Sequence, residues 1–343
     1  MSGTSLDGLD LALVEFILED GIWSFELVDS ETISYGSQLK ERLEKSIVLA
    51  AGELSSLDRE FGKFIGSQAS HFANGRHVDF ISSHGHTVFH QPEKNITLQI
   101  GSGKEILRAT GIPVIFDFRS KDVRLGGQGA PLVPIGDKLL FGNYDVCLNL
   151  GGIANCSFEK DNQRVAYDIA PFNMVFNRLA EVLGKPFDDG GKIARDGKPI
   201  SNLLEALNDI PYYKNELPKS LGLEDYQKFW KPYFQNTDFE VKDLMHTYAI
   251  HVAKVIGENL NQHFNESANL LITGGGSYNE FFIEKLNNVF QGKIVIPSTE
   301  IIDYKEAIIF GFMGVLRYQD RTNCLASVTG ASQDSSAGIM LGF

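Results

Sequence analysis

The stretch 145–158, DVCLNLGGIANCSF, decides the fold. An apolar run of strand length reaches Leu150, meets Gly151 and Gly152, and resumes as a second strand-length run, with a third at 164–168. Working outward, the spacing predicts a helix over about 172–183 and a long amphipathic helix over 241–263. Beyond them come a strand at 270–273, the glycines 274–276, a helix from about 278, a strand at 293–296 and a closing helix near 304–317. The N-terminal half has similar grammar. Residues 9–18 read as a buried strand, Glu19-Asp20-Gly21 as a tight turn, and Trp23, Phe25 and Leu27 as the alternating face of a second strand. Helical patterns over 37–50 and 54–74 lead to short strands at 78–81 and 113–118. This repetition of pattern implies a duplicated α/β architecture with a cleft between two lobes. The boundary falls near 120–140, where Gly126, Gly127 and Gly129 read as a structured hinge or, equally, as a tight packing turn.

Composition narrows the function classes. The 343 residues are 43% hydrophobic and 22% charged, which suits two folded domains and excludes a disordered chain or a fibre. Against 44 Asp and Glu stand 31 Lys and Arg, a net charge of −13 that works against binding a nucleic-acid backbone. No apolar run approaches the ~20 residues of a membrane span, and the N-terminus lacks a signal-peptide pattern, so a cytoplasmic protein is expected. Cys147, Cys156 and Cys324 are odd in number and show no Cys-x-x-Cys spacing, which fits small core residues better than disulfides or structural zinc.

Three glycine-rich turns lie at strand ends: 2–8 (SGTSLDG), 149–155 (NLGGIAN) and 273–279 (TGGGSYN). Glycine lets successive backbone N–H groups converge on an anion, and Ser and Thr hydroxyls add short donors, which is phosphate-cradle chemistry. None matches the P-loop or the Rossmann fingerprint. Each alone can equally be a turn needing positive φ.

The segments MSGTSLDGLD (1–10), SHGHT (83–87), TLQIG (97–101), DFRSKD (117–122), GGQGAPLVP (126–134), NLGGIAN (149–155), PKSLG (218–222), GGGSYN (274–279) and SVTGA (327–331) resemble, in that order, the anhydro-N-acetylmuramic acid kinases. The resemblance runs from residue 1 to about 331 and implies a duplicated actin-like, ribonuclease H-like two-lobe ATPase fold, each lobe repeating a βββαβαβ core around a central cleft. The implied lobes are 1–122 with about 322–343, and 123–321. The implied reaction is ATP- and Mg²⁺-dependent: water attacks the anomeric carbon of 1,6-anhydro-N-acetylmuramic acid and O6 is phosphorylated, a step of cell-wall sugar recycling. A homodimer is implied by the family alone.

By the same resemblance Asp168 is the general base; read locally, without the resemblance, an N-cap or turn aspartate ahead of the 172–183 helix is the favoured reading. Asp7 would hold Mg²⁺ through water, or is a solvated turn residue. Ser2, Gly3, Thr4, Ser5, Asp7, Gly8, Asp10, Gly151, Gly152 and Asn155 would serve the phosphates, and Gly274, Gly275, Gly276 and Asn279 the adenosine. Thr87, Arg119 or Lys121, and Glu306 would meet the sugar, a cation suiting its lactyl carboxylate or the transferred phosphate. Lys219, Ser220 and Gly222 match a family loop and read equally as a basic turn. His84 and His86 alternate across a strand end with no carboxylate cluster, which argues against a metal pair.

The chain also departs from the family pattern. Ala170 and Phe172 stand where glycines are usual, Lys121 where arginine is frequent, and His86 where glutamine is usual. The family's short apolar strand before MSGTSLDG has no residues here, so the expectation is a natural start upstream and, without it, unpaired neighbours in the first lobe's sheet. These departures keep two alternatives open: a kinase for another amino sugar, and a non-catalytic ATP-binding module.

Overall fold

The computed structural model describes residues 1–3, 6–235 and 238–343. In chain order the strands are β1 (Leu9–Glu19), β2 (Ile22–Ile33), β3 (Ile81–Ser83), β4 (His86–Gln91), β5 (Ile96–Ile100), β6 (Val114–Phe116), β7 (Val146–Leu150), β8 (Ile153–Lys160), β9 (Gln163–Pro171), β10 (Asn269–Thr273), β11 (Lys293–Val295) and β12 (Ile339–Leu341). The helices are α1 (Ser37–Glu44), α2 (Ala51–Ala73), α3 (Gly103–Thr110), α4 (Ser120–Arg124), α5 (Pro134–Leu140), α6 (Asn173–Val182), α7 (Lys192–Arg195), α8 (Ser201–Asn208), α9 (Leu223–Phe229), α10 (Val241–Asn261), α11 (Glu280–Asn287), α12 (Thr299–Tyr318) and α13 (Ala326–Thr329). Contacts divide the chain into two units, Met1–Leu140 with Tyr304–Phe343, and Phe141–Asp303. Among the described residues no helix is long and apolar enough to cross a membrane.

The second unit carries a five-stranded sheet in the order β11-β10-β7-β8-β9. Strands β7, β8 and β9 are joined antiparallel by tight turns, while β10 and β11 run parallel to β7 and are reached through helices. This is the βββαβαβ succession expected from the resemblance. Val146, Leu148 and Leu150 on β7 are wholly buried, and α10 is apolar around most of its girth because it too lies inside the core.

The first unit, among the described residues, opens on the β1-β2 hairpin. Asp20 and Gly21, with φ of 51° and 81°, turn β1 into β2, the backbone that a two-residue hairpin demands. Leu54, Leu57, Phe61 and Ile65 recur at helical spacing on α2 and bury against Ile100 and Ile106. Strands β3 and β6 pair in parallel, with β12 antiparallel on the far side of β6. Among the described residues β1-β2 and β12-β6-β3 are separate sheets, whereas in the second unit β7 joins the corresponding pairs. Along the other edge of β1, the Met1 amine donates to the Asp10 carbonyl at 2.7 Å and Asp10 N–H returns to Met1 O at 2.9 Å.

Two expectations shift. The strand read at 78–81 begins pairing only at Ile81, whose N–H is taken by Pro113 O. The β4-β5 hairpin escapes the sequence pattern because its turn, Pro92-Glu93-Lys94-Asn95, contains no glycine; Asn95 supplies the positive φ. All three cysteines are buried and none forms a disulfide. Replacing the wholly buried Ile272 on β10 by alanine is expected to lower unfolding free energy by about 2–5 kcal/mol. The urea midpoint reads this, and a loss below about 0.5 kcal/mol would contradict a central β10.

Candidate active site

Strand register builds the second unit's polar row. Thr273 on β10 lies opposite Asn149 on β7, Asn149 opposite Asn155 on β8, and Asn155 opposite Asp168 on β9. Residues directly opposed across a ladder share a face, so Asp168 and Asn155 stand in one line that ends above the glycine turns. Both turns, Gly151-Gly152 after β7 and Gly274–Gly276 after β10, leave the same edge because β7 and β10 are parallel. The Asn149 carboxamide lies against both: a Cβ on Gly274 would lie 2.5 Å from its Oδ1, and one on Gly151 3.2 Å from its Nδ2. Sequence reasoning passed over Asn149 although it stands inside the NLGGIAN segment.

Asp168 lies inside β9, ahead of the α6 N-cap at Phe172, so the local reading of it as that helix's cap is corrected. Its N–H donates to Lys219 O at 3.0 Å, its carbonyl accepts from the Tyr212 hydroxyl at 2.9 Å, and its Oδ2 accepts from Leu221 N–H at 2.8 Å. Among the described residues its Oδ1 has no partner. Burial pushes the carboxyl up to about 6, against the opposing pull of the Leu221 N–H. A carboxylate so placed is ionised at neutral pH yet basic enough to take a proton from water.

Gly152 is exposed, and a Cβ built on it meets nothing within 4 Å. The Gly152 carbonyl accepts from Phe172 and Met174 N–H at 2.8 and 3.1 Å, pinning the turn to the start of α6. That open backbone suits a phosphate oxygen. Gly276 is needed for the opposite reason: a Cβ there would fall 2.3 Å from Phe172 Cε1 and 2.7 Å from Leu150 Cβ. Phe172 packs on Phe282 and Phe176, with ring centres 4.6 and 5.1 Å away, and Ala170 pairs with Ala154 in the sheet. Both are wholly buried, so these departures from the family glycines alter the core and not the exposed surface. The Asn279 carboxamide oxygen accepts from Phe282 N–H at 3.0 Å and caps α11.

In the first unit, Tyr35 donates its hydroxyl to Ser2 Oγ at 2.7 Å, and Ser2 Oγ meets His86 Nδ1 at 3.2 Å. Thr4 and Ser5 lie outside the described residues. Gly8 packs against β2, where a Cβ would be 2.8 Å from Ile33 O. Gly3 O accepts from Leu6 N–H at 3.3 Å. Asp7 is exposed and its carboxylate has no hydrogen-bond partner among the described residues, which fits a metal held through water. Asp10 Oδ1 accepts from Thr32 Oγ1 at 2.8 Å.

Arg119 donates from Nε to His84 Nε2 at 3.0 Å and from its terminal nitrogen to Gly129 O at 2.6 Å. Burial and the Arg119 charge hold His84 well below its usual range, so it accepts as the neutral ring. Glu306 is pushed up by burial, with Arg119 pulling the other way. Lys121 donates to Ser336 O at 2.8 Å, and Thr87 is half-buried with Gln99 Nε2 at 3.4 Å. Asp122 and Thr329, which sequence reasoning left without a role, organise the GGQGAP loop. Asp122 accepts from Thr329 Oγ1 and Gly129 N–H, each at 2.8 Å, and Gln128 N–H donates to Thr329 O at 2.8 Å. Among the described residues no group of three His, Cys, Asp or Glu is placed to hold a metal.

The second unit is thus an α/β domain with a carboxylate and glycine turns on one sheet edge. Residues 1–342 match the family model described as anhydro-N-acetylmuramic acid kinase, and the chain belongs to that family. It is 35% identical to the anhydro-N-acetylmuramic acid kinase of Vibrio cholerae, covering 99% of this chain and 96% of that one. To the Aliivibrio fischeri protein of the same name it is 32% identical, over 99% and 97%. Among solved structures it is similar to the activator of the 2-hydroxyisocaproyl-CoA dehydratase from Clostridium difficile with bound ADPNP, at 12% identity and a TM-score of 0.36, covering 65% of this chain and 87% of that one.

Two outcomes follow for the site. Because folding raises the Asp168 pKa, its contribution to stability is fully present below the unfolded value near 3.8 and is lost as pH rises through about 6. Asp168→Asn is therefore expected to gain about 1–3 kcal/mol relative to the parent at pH ~8 compared with pH ~3.5, measured by urea unfolding at both. Gly276→Ala is expected to cost about 1–3 kcal/mol, and the smaller Phe172→Leu ring replacement to recover part of it. Strict additivity in that double-mutant cycle would contradict the contact.

Proposed function

We propose that this chain is an ATP-dependent kinase of 1,6-anhydro-N-acetylmuramic acid that opens the anhydro bridge with water and phosphorylates O6. The carrying observation is Asp168, raised to about 6 with Oδ1 unpartnered among the described residues, in register with Asn155 on the strand that leaves the open Gly152 turn. Asp168 Oδ1 takes a proton from the water whose oxygen bonds to C1. The C1–O6 bond breaks, and O6 forms its bond to the γ-phosphorus as the bond to ADP breaks, giving N-acetylmuramic acid 6-phosphate. ATP with Mg²⁺ supplies the phosphoryl group and screens its charge.

The glycine backbones at 3, 8, 151 and 152 with Ser2, Asn155 and Asp10 would serve the phosphates, Asp7 would hold Mg²⁺ through water, and Gly274–Gly276 would face the adenosine. Asn279 shapes that last turn as a helix cap. Arg119 and Glu306, with Thr87 and Lys121, recognise the sugar; Arg119 still has donors beyond the two spent on His84 and Gly129. A cytoplasmic enzyme of cell-wall sugar recycling follows from its use of ATP and that substrate.

Incubation with ATP, Mg²⁺ and the anhydro sugar in H₂¹⁸O is expected to give a product carrying one phosphoryl group and one ¹⁸O, read by mass spectrometry. Phosphorylation without ¹⁸O would refute coupled opening. Asp168→Asn is expected to lower kcat about 10²–10⁴-fold with ATP affinity nearly unchanged. The acid limb of kcat/KM should fall near pH 6, reporting the parent carboxyl.

A further inference from the structure

The segment 218–222 clasps β9 from one side. Its Lys219 carbonyl and Leu221 N–H take the backbone N–H and the Oδ2 of Asp168. The Lys219 side chain turns the other way. Nζ donates to the Tyr212 carbonyl at 3.2 Å and reaches the Tyr213 carbonyl at 3.5 Å, and it lies 4.6 Å from the centre of the Tyr212 ring. The Tyr212 hydroxyl closes the circuit on Asp168 O at 2.9 Å. The anchor is itself rigid: Tyr213 accepts from Trp230 Nε1 at 2.9 Å and meets His251 Nε2 at 2.9 Å, while His251 Nδ1 meets Asn208 Oδ1 at 2.9 Å.

Among the described residues Lys219 pairs with no carboxylate, although it is half-buried and desolvation lowers its pKa. A loop lysine turned inward onto two carbonyls and a ring gives up hydration for fixed geometry. Its exposed neighbour Ser220 makes no such commitment.

We propose that Lys219 is a positioning residue for the Asp168 carboxylate: by bolting the 218–222 loop to Tyr212 and Tyr213 it holds the Leu221 N–H on Oδ2 and leaves Oδ1 to receive the proton. This rests on Asp168 being the base. A hydrogen bond to the ionised carboxylate favours that form, so loosening the loop raises the Asp168 pKa and lets the carboxylate swing. The titratable groups facing it are Tyr212 from the 211–214 turn, Cys156 from β8 and Lys219. Burial pushes the tyrosine up and the thiol to about 12, so both stay neutral where Asp168 titrates.

The test is a ¹³C NMR titration of the Asp168 carboxyl, assigned by its loss in Asp168→Asn, run beside kcat and KM profiles for the parent, Lys219→Met and Lys219→Arg. Lys219→Met is expected to raise the Asp168 titration by about half a unit or more, move the acid limb of kcat with it, and lower kcat about tenfold with KM for ATP unchanged. Lys219→Arg, which keeps donors for the carbonyls and a cation for the ring, should restore most of both. A folded Lys219→Met whose Asp168 titrates as in the parent overturns the proposal, whether or not kcat falls. If the methionine chain does not fold, Lys219→Gln keeps one donor: an intermediate upward shift supports the proposal and an unmoved titration overturns it. Full turnover by Asp168→Asn would end the reading of Asp168 as base, while the titration would still decide whether Lys219 sets that carboxyl.

Discussion

Backbone pairing of β7 on both sides is the constraint on which the second unit depends. Antiparallel pairing with β8 forces a tight turn at Gly151-Gly152, and parallel pairing with β10 sends Gly274–Gly276 off the same edge. The ladder through β8 then sets Asp168 level with Asn149 and Asn155. A slip of one residue anywhere in this ladder would turn Asp168 to the opposite face. Every buried apolar residue on β7 opposes that slip, so the core fixes the position of the site.

The chemistry around Asp168 works against stability. Taking a carboxylate partly out of water raises its pKa, and one backbone N–H on Oδ2 offsets only part of that cost. A second donor on Oδ1 would favour the charged form further, but would occupy the oxygen proposed to receive a proton. Tyr213, Trp230 and His251 form a connected polar chain inside an aromatic cluster, and Tyr212, which packs its ring on Trp230 and donates its hydroxyl to Asp168 O, completes a stiff wall behind Asp168.

The first unit uses side chains where the second uses register. Tyr35, Ser2 and His86 make one polar chain, and His84, Arg119 and Gly129 another. Asp122 holds the GGQGAP loop through three contacts to backbone and Thr329. That loop lies within the first unit, whose boundary comes later, at Leu140. Asp122 and Thr329, which organise it, are 207 positions apart, a separation that no local spacing rule reaches.

The sequence by itself determined the strand-glycine-strand succession, the β1-β2 hairpin and the long helices, because periodicity and turn chemistry act over a few residues. Family motifs in it also marked Asp168 and the glycine turns. Only the tertiary structure decided that the strand runs on past Asp168 to Pro171, which removes the helix-cap reading, and that the Asp168 carboxylate takes its hydrogen bond from Leu221, 53 residues away. It likewise decided that Phe172 is accommodated by a bare backbone at Gly276, and that the Asn149 side chain lies against two glycine turns. The physical reason is common to all three: packing and hydrogen-bond partners are chosen by proximity in space, which a linear pattern does not encode.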